Sequence, residues 1–125
     1  MTARIDDWLK EDVETFWAAH GEKPSAGLRR VMQEWWAVQR FPVITFRDGV
    51  SGRRATLRDG PDVWEVVMVA RDYGDDRGGL YDHFAGFVES DVVDQALAYA
   101  QRFPDEIEAM LTENARVERL LGGMG

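Results

Sequence analysis

Four arginines fall close together in the middle of the chain: Arg47, Arg53, Arg54 and Arg58. A guanidinium is always charged, planar and able to present paired N–H donors, so such a cluster suits phosphate or carboxylate oxygens. They lie on or beside a hairpin pattern. There they either flank a nucleic acid or form local ion pairs on a solvated surface. The other side chains with chemistry to offer are sparser. His20 precedes Gly21, as a dipole partner at a helix C-terminus does. His83 stands beside Asp82 in Tyr81-Asp82-His83-Phe84, with neither a nucleophile nor a third group to make it a base. Asp75-Asp76 and Asp105-Glu106 read as loop or helix-start acids before they read as metal ligands. Gly78-Gly79 and the glycines from Gly49 to Gly52 follow neither a phosphate-loop nor a dinucleotide pattern. The five tryptophans fall at helical core spacing. These residues offer no catalytic set, no metal site and no cofactor site. The expectation is a protein that binds, not an enzyme.

Composition sets the frame for such binding. With 125 residues and 45% hydrophobic content, the chain can build one compact domain or two small modules. It has no cysteine, hence neither a disulfide framework nor a thiolate metal site. No apolar run approaches membrane-spanning length and no basic segment precedes a hydrophobic one, so neither a signal peptide nor a membrane span is expected, and the expected location is cytoplasmic. The net charge of −8 is unevenly spread: residues 1–40 carry −1, residues 41–74 are neutral and residues 75–125 carry −7. An acidic surface repels phosphates and favours a basic partner. Any contact with DNA is therefore expected in the N-terminal part.

The elements that must position these groups are mostly helices. Thr2-Ala3-Arg4-Ile5 alternates polar and apolar residues, as a short strand would. A helix is predicted from about Asp7 to Ala19, with Leu9, Val13, Phe16 and Trp17 on one face and His20-Gly21 at its end. Pro24 to Val38 forms the next, with Leu28, Val31, Met32, Trp35 and Trp36 as its stripe; Gly27 costs this helix up to about 1 kcal/mol relative to Ala. A hairpin follows, Val43 to Phe46 and Arg54 to Arg58, around the turn-rich Asp48 to Gly52. Helices are then predicted from Pro61 or Asp62 to Tyr73, over Leu80 to Ala85, over Asp91 to Arg102, and from Pro104 onward.

A short strand, a helix of about thirteen residues, a glycine turn and a second amphipathic helix is the order of the ribbon–helix–helix family. Residues 2–38 resemble it, through Ala3-Arg4-Ile5-Asp6 and the run His20-Gly21-Glu22-Lys23-Pro24-Ser25-Ala26-Gly27-Leu28-Arg29. The physics requires such a unit to dimerise, because one short strand and two small helices bury too little. Pairing two copies would close a shared core of Ile5, Leu9, Phe16, Leu28, Met32 and Trp35. By the resemblance, Thr2, Arg4 and Asp6 face the bases, and Lys23 and Ser25 meet a phosphate at the start of the second helix. The family strand is often basic, whereas Arg4 is the one cation of this segment.

Residues 43–111 carry a second resemblance. The run from Gly52 through Arg58-Asp59-Gly60-Pro61-Asp62 to Val67, and the block Val92-Val93-Asp94-Gln95-Ala96-Leu97-Ala98-Tyr99-Ala100 followed by Phe103-Pro104-Asp105-Glu106-Ile107, are similar to the bacterial family called domain of unknown function 433. Where that family has Gly-Thr-Arg after the hairpin, this chain reads Arg58-Asp59-Gly60-Pro61-Asp62. The resemblance implies a small helical domain of the homeodomain-like, winged-hairpin kind. It further implies a VapB-like antitoxin paired with a PIN-like ribonuclease toxin. The segment Asp91 to Arg102 would be the recognition helix, but Asp91 and Asp94 near its start argue for a structural or dimer-forming role.

The expected fold is thus mainly α with short β elements: a ribbon–helix–helix-like module over 1–40, and a small helical domain over 43–121 preceded by a β-hairpin. The expected function is a type II antitoxin that binds its PIN-like toxin and represses its own operon as a DNA-binding homodimer. Alternatives are a freestanding dimeric transcription regulator, or an interaction module that binds no nucleic acid. Operator contacts are expected from Thr2, Arg4, Lys23, Ser25, Arg53 and Arg54. Toxin contacts are expected from Ile107, Met110, Leu111, Arg116 and Arg119 on the last helix, which either docks into a groove or packs on its own domain.

Overall fold

The computed structural model describes residues 4–49 and 52–123. The chain divides into two units, Met1–Trp36 and Ala37–Gly125. The boundary falls inside the second helix rather than near residue 41, because Ala37 and Phe41 are buried in the core of the second unit.

The first unit is a helical hairpin of α1 (Asp7–Ala19) and the greater part of α2 (Pro24–Arg40). Asp7 places a negative charge in the first turn of α1, where the helix dipole favours it. At the other end Gly21 takes φ 72°, the Glu22 N–H reaches back to the Trp17 carbonyl at 2.8 Å, and the Gly21 N–H reaches that of Ala18 at 3.0 Å. This is a Schellman stop, which needs a residue free to adopt the left-handed conformation. Trp17 is the buried residue of α1, and its indole lies over Gly27 of α2 so closely that a Cβ there would overlap the ring. Arg30 donates from Nε and Nη2 to the Glu22 carboxylate, each at 3.0 Å, tying α2 to the turn. The strand expected at the start is not formed over residues 4–6, which are irregular. A strand must hand its backbone groups to a neighbour, and a single copy offers none there. Thr2 and Ala3 lie outside the described residues.

The second unit pairs a two-stranded hairpin with four helices. β1 (Ile44–Gly49) and β2 (Gly52–Leu57) are antiparallel, in register from Ile44 opposite Leu57 to Gly49 opposite Gly52. The period-2 alternation sends Ile44, Phe46, Ala55 and Leu57 to one face, against the core. Thr45, Arg47, Arg54 and Thr56 take the other. α3 (Val63–Tyr73), α4 (Arg77–Phe84), α5 (Ser90–Arg102) and α6 (Pro104–Gly122) complete the unit. Val63, Val66, Leu80, Val93, Ala96, Tyr99 and Ile107 form its centre. Tyr99 packs against the rings of Phe41, Phe46 and Phe103, and its hydroxyl donates to Glu106 at 2.7 Å, so this polar tip is satisfied inside the core.

Where the pattern predicts α4 from Leu80, the helix starts at Arg77. The Asp76 carboxylate accepts the Gly79 N–H at 2.9 Å, so the glycine pair read as a loop becomes the first turn. α6 opens with Pro104 at its first position, where a missing N–H costs nothing. The mainly helical architecture with one short hairpin is therefore as expected. Among the described residues no helix is long and apolar enough to cross a membrane.

Candidate functional site

The first unit presents an uncovered apolar face. Ile5, Leu9, Phe16, Leu28, Met32 and Trp35 are 41–66% exposed. Both helices contribute, because apolar residues three, four and seven apart fall on one stripe. A groove of about 820 Å³ runs along that face, walled by Ile5, Leu9, Val13, Phe16, Leu28 and Val31. Fully burying a large apolar side chain is worth roughly 1.5–3 kcal/mol. Six such groups left half in water make a face that a partner would stabilise strongly.

Four of the residues expected at DNA belong to this unit, and three of them, Arg4, Lys23 and Ser25, are among the described residues. Arg4 is exposed in the irregular segment before α1. Lys23 precedes α2, its carbonyl accepting the Gly27 N–H at 2.9 Å, and Ser25 stands exposed in the first turn. Lys23 and Ser25 thus flank an α-helix N-terminus, where N–H groups lack helical partners.

The two hairpin arginines expected at DNA are engaged within the unit. Arg53 pairs with Asp48 at 3.4 Å on the exposed end of the hairpin. Arg54 donates from Nε to the Asp62 carboxylate at 2.5 Å, and the Trp64 indole N–H donates to the same oxygen at 3.1 Å. Asp62 is buried, so Arg54 is the countercharge that lets this carboxylate sit inside. The sequence marks Asp62 as a helix start and gives no direct sign of this pairing. The available signal is the register: Arg54 shares a face of β2 with Thr56, and Asp62 bridges to Thr56. Next to it, burial is the largest cause holding the Glu65 carboxyl above the ordinary range, followed by the charge of Asp62.

Arg47 and Arg58 behave differently. Arg47 donates from Nη2 to the Thr56 hydroxyl at 3.2 Å, and Arg58 from Nε to the Pro42 carbonyl at 3.2 Å. Both partners are neutral.

On α6 the expected toxin contacts separate. Ile107 is buried in the core, Leu111 is half-buried against that core, and Met110 is half-buried. Arg116 is held by Glu113 at 2.7 Å, and Arg119 is exposed. The outward apolar groups of the helix are Val117, Leu120 and Leu121, nearer its end. The Arg116 guanidinium also keeps the Glu113 carboxyl below its usual range.

At α5, Asp94 accepts from the Tyr81 hydroxyl at 2.6 Å and from Arg77 at 2.8 Å, joining α4 to α5. The histidines have local partners. His20 Nδ1 lies 2.8 Å from the Phe16 carbonyl and its ring stacks on Phe16, while His83 Nδ1 lies 3.2 Å from the Tyr73 hydroxyl. Among the described residues no group of three or more histidine or carboxylate side chains converges as a metal centre would require.

Comparison of the chain with protein-family models, with curated proteins and with solved structures returned no match.

Proposed function

We propose that the chain is an antitoxin-type regulator. In this reading it dimerises through the helical hairpin, binds operator DNA with that unit, and uses the acidic second unit to neutralise a basic, PIN-like ribonuclease toxin. The observation that carries the reading is the exposed face of Ile5, Leu9, Phe16, Leu28, Met32 and Trp35. These are the residues that a ribbon–helix–helix dimer would bury, and residues 4–6 hold the irregular segment that a partner's strand would order. In such a dimer Arg4 reads a base edge through its paired donors, while Lys23 and Ser25 grip a phosphate.

Charge supports the division of labour. Residues 61–125 carry five Lys/Arg against fourteen Asp/Glu, a net −9. A ribonuclease must present a basic cleft to RNA, and an acidic partner complements it. The exposed Val117, Leu120 and Leu121 at the end of α6 supply the apolar anchor for that contact.

Coexpression with the product of the adjacent reading frame tests the toxin half of the reading. The two chains are expected to copurify and the neighbour's ribonuclease activity to be suppressed, with Leu120→Asp and Leu121→Asp together releasing it. A neighbour that is neither bound nor a nuclease would favour a freestanding regulator.

A further inference from the structure

The geometry points to a second phosphate-binding site, on the outer face of the hairpin in the second unit, formed by Arg47 and Arg58. Its ligand is the phosphodiester backbone of a nucleic acid. The antiparallel register puts Thr45 opposite Thr56 and Arg47 opposite Arg54, and Arg58, two residues beyond Thr56, continues that row. One side of the ribbon therefore carries Thr45, Arg47, Arg54 and a Thr56 covered by the Pro61–Asp62 segment, while the other side packs on the core. A cleft of about 640 Å³ opens on the polar side, lined by Thr45, Arg47, Arg58, Asp59 and Gly60.

What separates this pair from the other hairpin arginines is neutralisation. Arg53 has Asp48 and Arg54 has Asp62. Arg47 and Arg58 are exposed, and each is steadied by one hydrogen bond to a neutral acceptor that leaves its positive charge uncompensated. Asp59 also lines the cleft but closes no ion pair with either among the described residues, leaving two cations to one carboxylate. The wider setting has the same sign. Residues 37–60 hold five Lys/Arg and two Asp/Glu, a net +3, within a chain of net −8. Partly held guanidiniums with free N–H donors suit phosphate oxygens and carry no base information. The site is independent of the antitoxin reading and of Arg4; it shares with that reading only the presence of nucleic acid.

The test is an anisotropy titration of the full chain on a non-operator duplex across a salt series. Each phosphate contact contributes about 0.9 to the log–log salt slope. Arg47→Gln with Arg58→Gln should make the slope shallower by roughly 2, equally for every duplex sequence, whereas Arg47→Lys with Arg58→Lys should keep it. Arg54→Gln should lower stability and leave the slope unchanged. Equal slopes for the wild type and the folded glutamine pair, or no duplex binding by the wild type at low salt, overturn the site. A parallel NMR arm follows the Nε–Hε resonances of Arg47 and Arg58. Shifts on adding duplex support the proposal; shifts with inorganic phosphate and none with duplex would make this a small-anion site and overturn it. If Arg4→Ala abolishes operator preference while the glutamine pair leaves the slope intact, the site fails and the ribbon reading stands. If the glutamine pair flattens the slope while Arg4→Ala leaves operator preference unchanged, the site stands and the ribbon reading fails.

Discussion

Asp62 shows how much one side chain can organise. It is buried at the start of α3, accepts Arg54 and the Trp64 indole on one oxygen, and lies beside Thr56, whose hydroxyl is within 3.3 Å of the Pro61 carbonyl. Its negative charge is felt by Glu65, one turn into the helix. Burial first and Asp62 second raise the Glu65 carboxyl pKa, against weaker opposing pulls from the Asp62 backbone N–H and from Arg54. A carboxyl with a raised folded-state pKa binds its proton more tightly in the native protein than in the unfolded chain. Its contribution is most favourable at acid pH, below the ordinary glutamate pKa, and is lost as pH rises through the folded-state value. Glu65→Gln is therefore expected to raise stability at neutral pH and to lose that advantage in acid, as read by urea unfolding across pH. A variant less stable than wild type at neutral pH would contradict this account of the charge. The sequence displays Arg53 and Arg54 as equals of Arg47 and Arg58. Only the hairpin register and the fold of α3 reveal which arginines already have a carboxylate.

At the scale of elements, most of the fold is legible in the sequence because its punctuation is chemical. Gly21 stops α1 by taking a positive φ, Pro104 starts α6, and alternation in the hairpin separates the core face from the arginine face. The start of α4 is not legible, because Gly78-Gly79 looks like a loop and only the Asp76 cap recruits that pair into a helix. The expected strand over residues 2–5 fails over its described part for another reason: a strand is a property of two segments, and one chain supplies one. Gly27 gives an element-scale test. Helix propensity alone would make Gly27→Ala favourable by about 1 kcal/mol. The added methyl, however, would overlap the Trp17 indole, and overpacking of that kind costs about 1–3 kcal/mol. A net loss is expected, seen as faster amide exchange across α1 and the turn, with the second unit's amides unchanged. A stabilised hairpin would mean that Trp17 can move aside.

For the whole molecule, the two units differ in surface type. The first exposes apolar side chains from both helices, and the second carries net positive charge over residues 37–60 and net negative charge over residues 61–125. Composition makes that charge division readable. It does not show that Ile107 and Leu111 serve the domain's own core, because an apolar stripe does not say which of its turns the domain itself covers. Ile107 and Leu111 belong to the core, and the free end starts near Val117. In the proposed function the first unit becomes a DNA reader by pairing with a second copy. This is tested most directly by titrating the chain against the DNA upstream of its own gene, with mass measured by light scattering in the same buffer. The wild type is expected as a dimer of 14.2 kDa chains that binds saturably. Leu28→Asp should be monomeric and should not bind, and Arg4→Ala should remain a dimer but lose its preference for that DNA. A wild-type dimer that binds no DNA at low salt, or an Arg4→Ala dimer with unchanged preference, would contradict it.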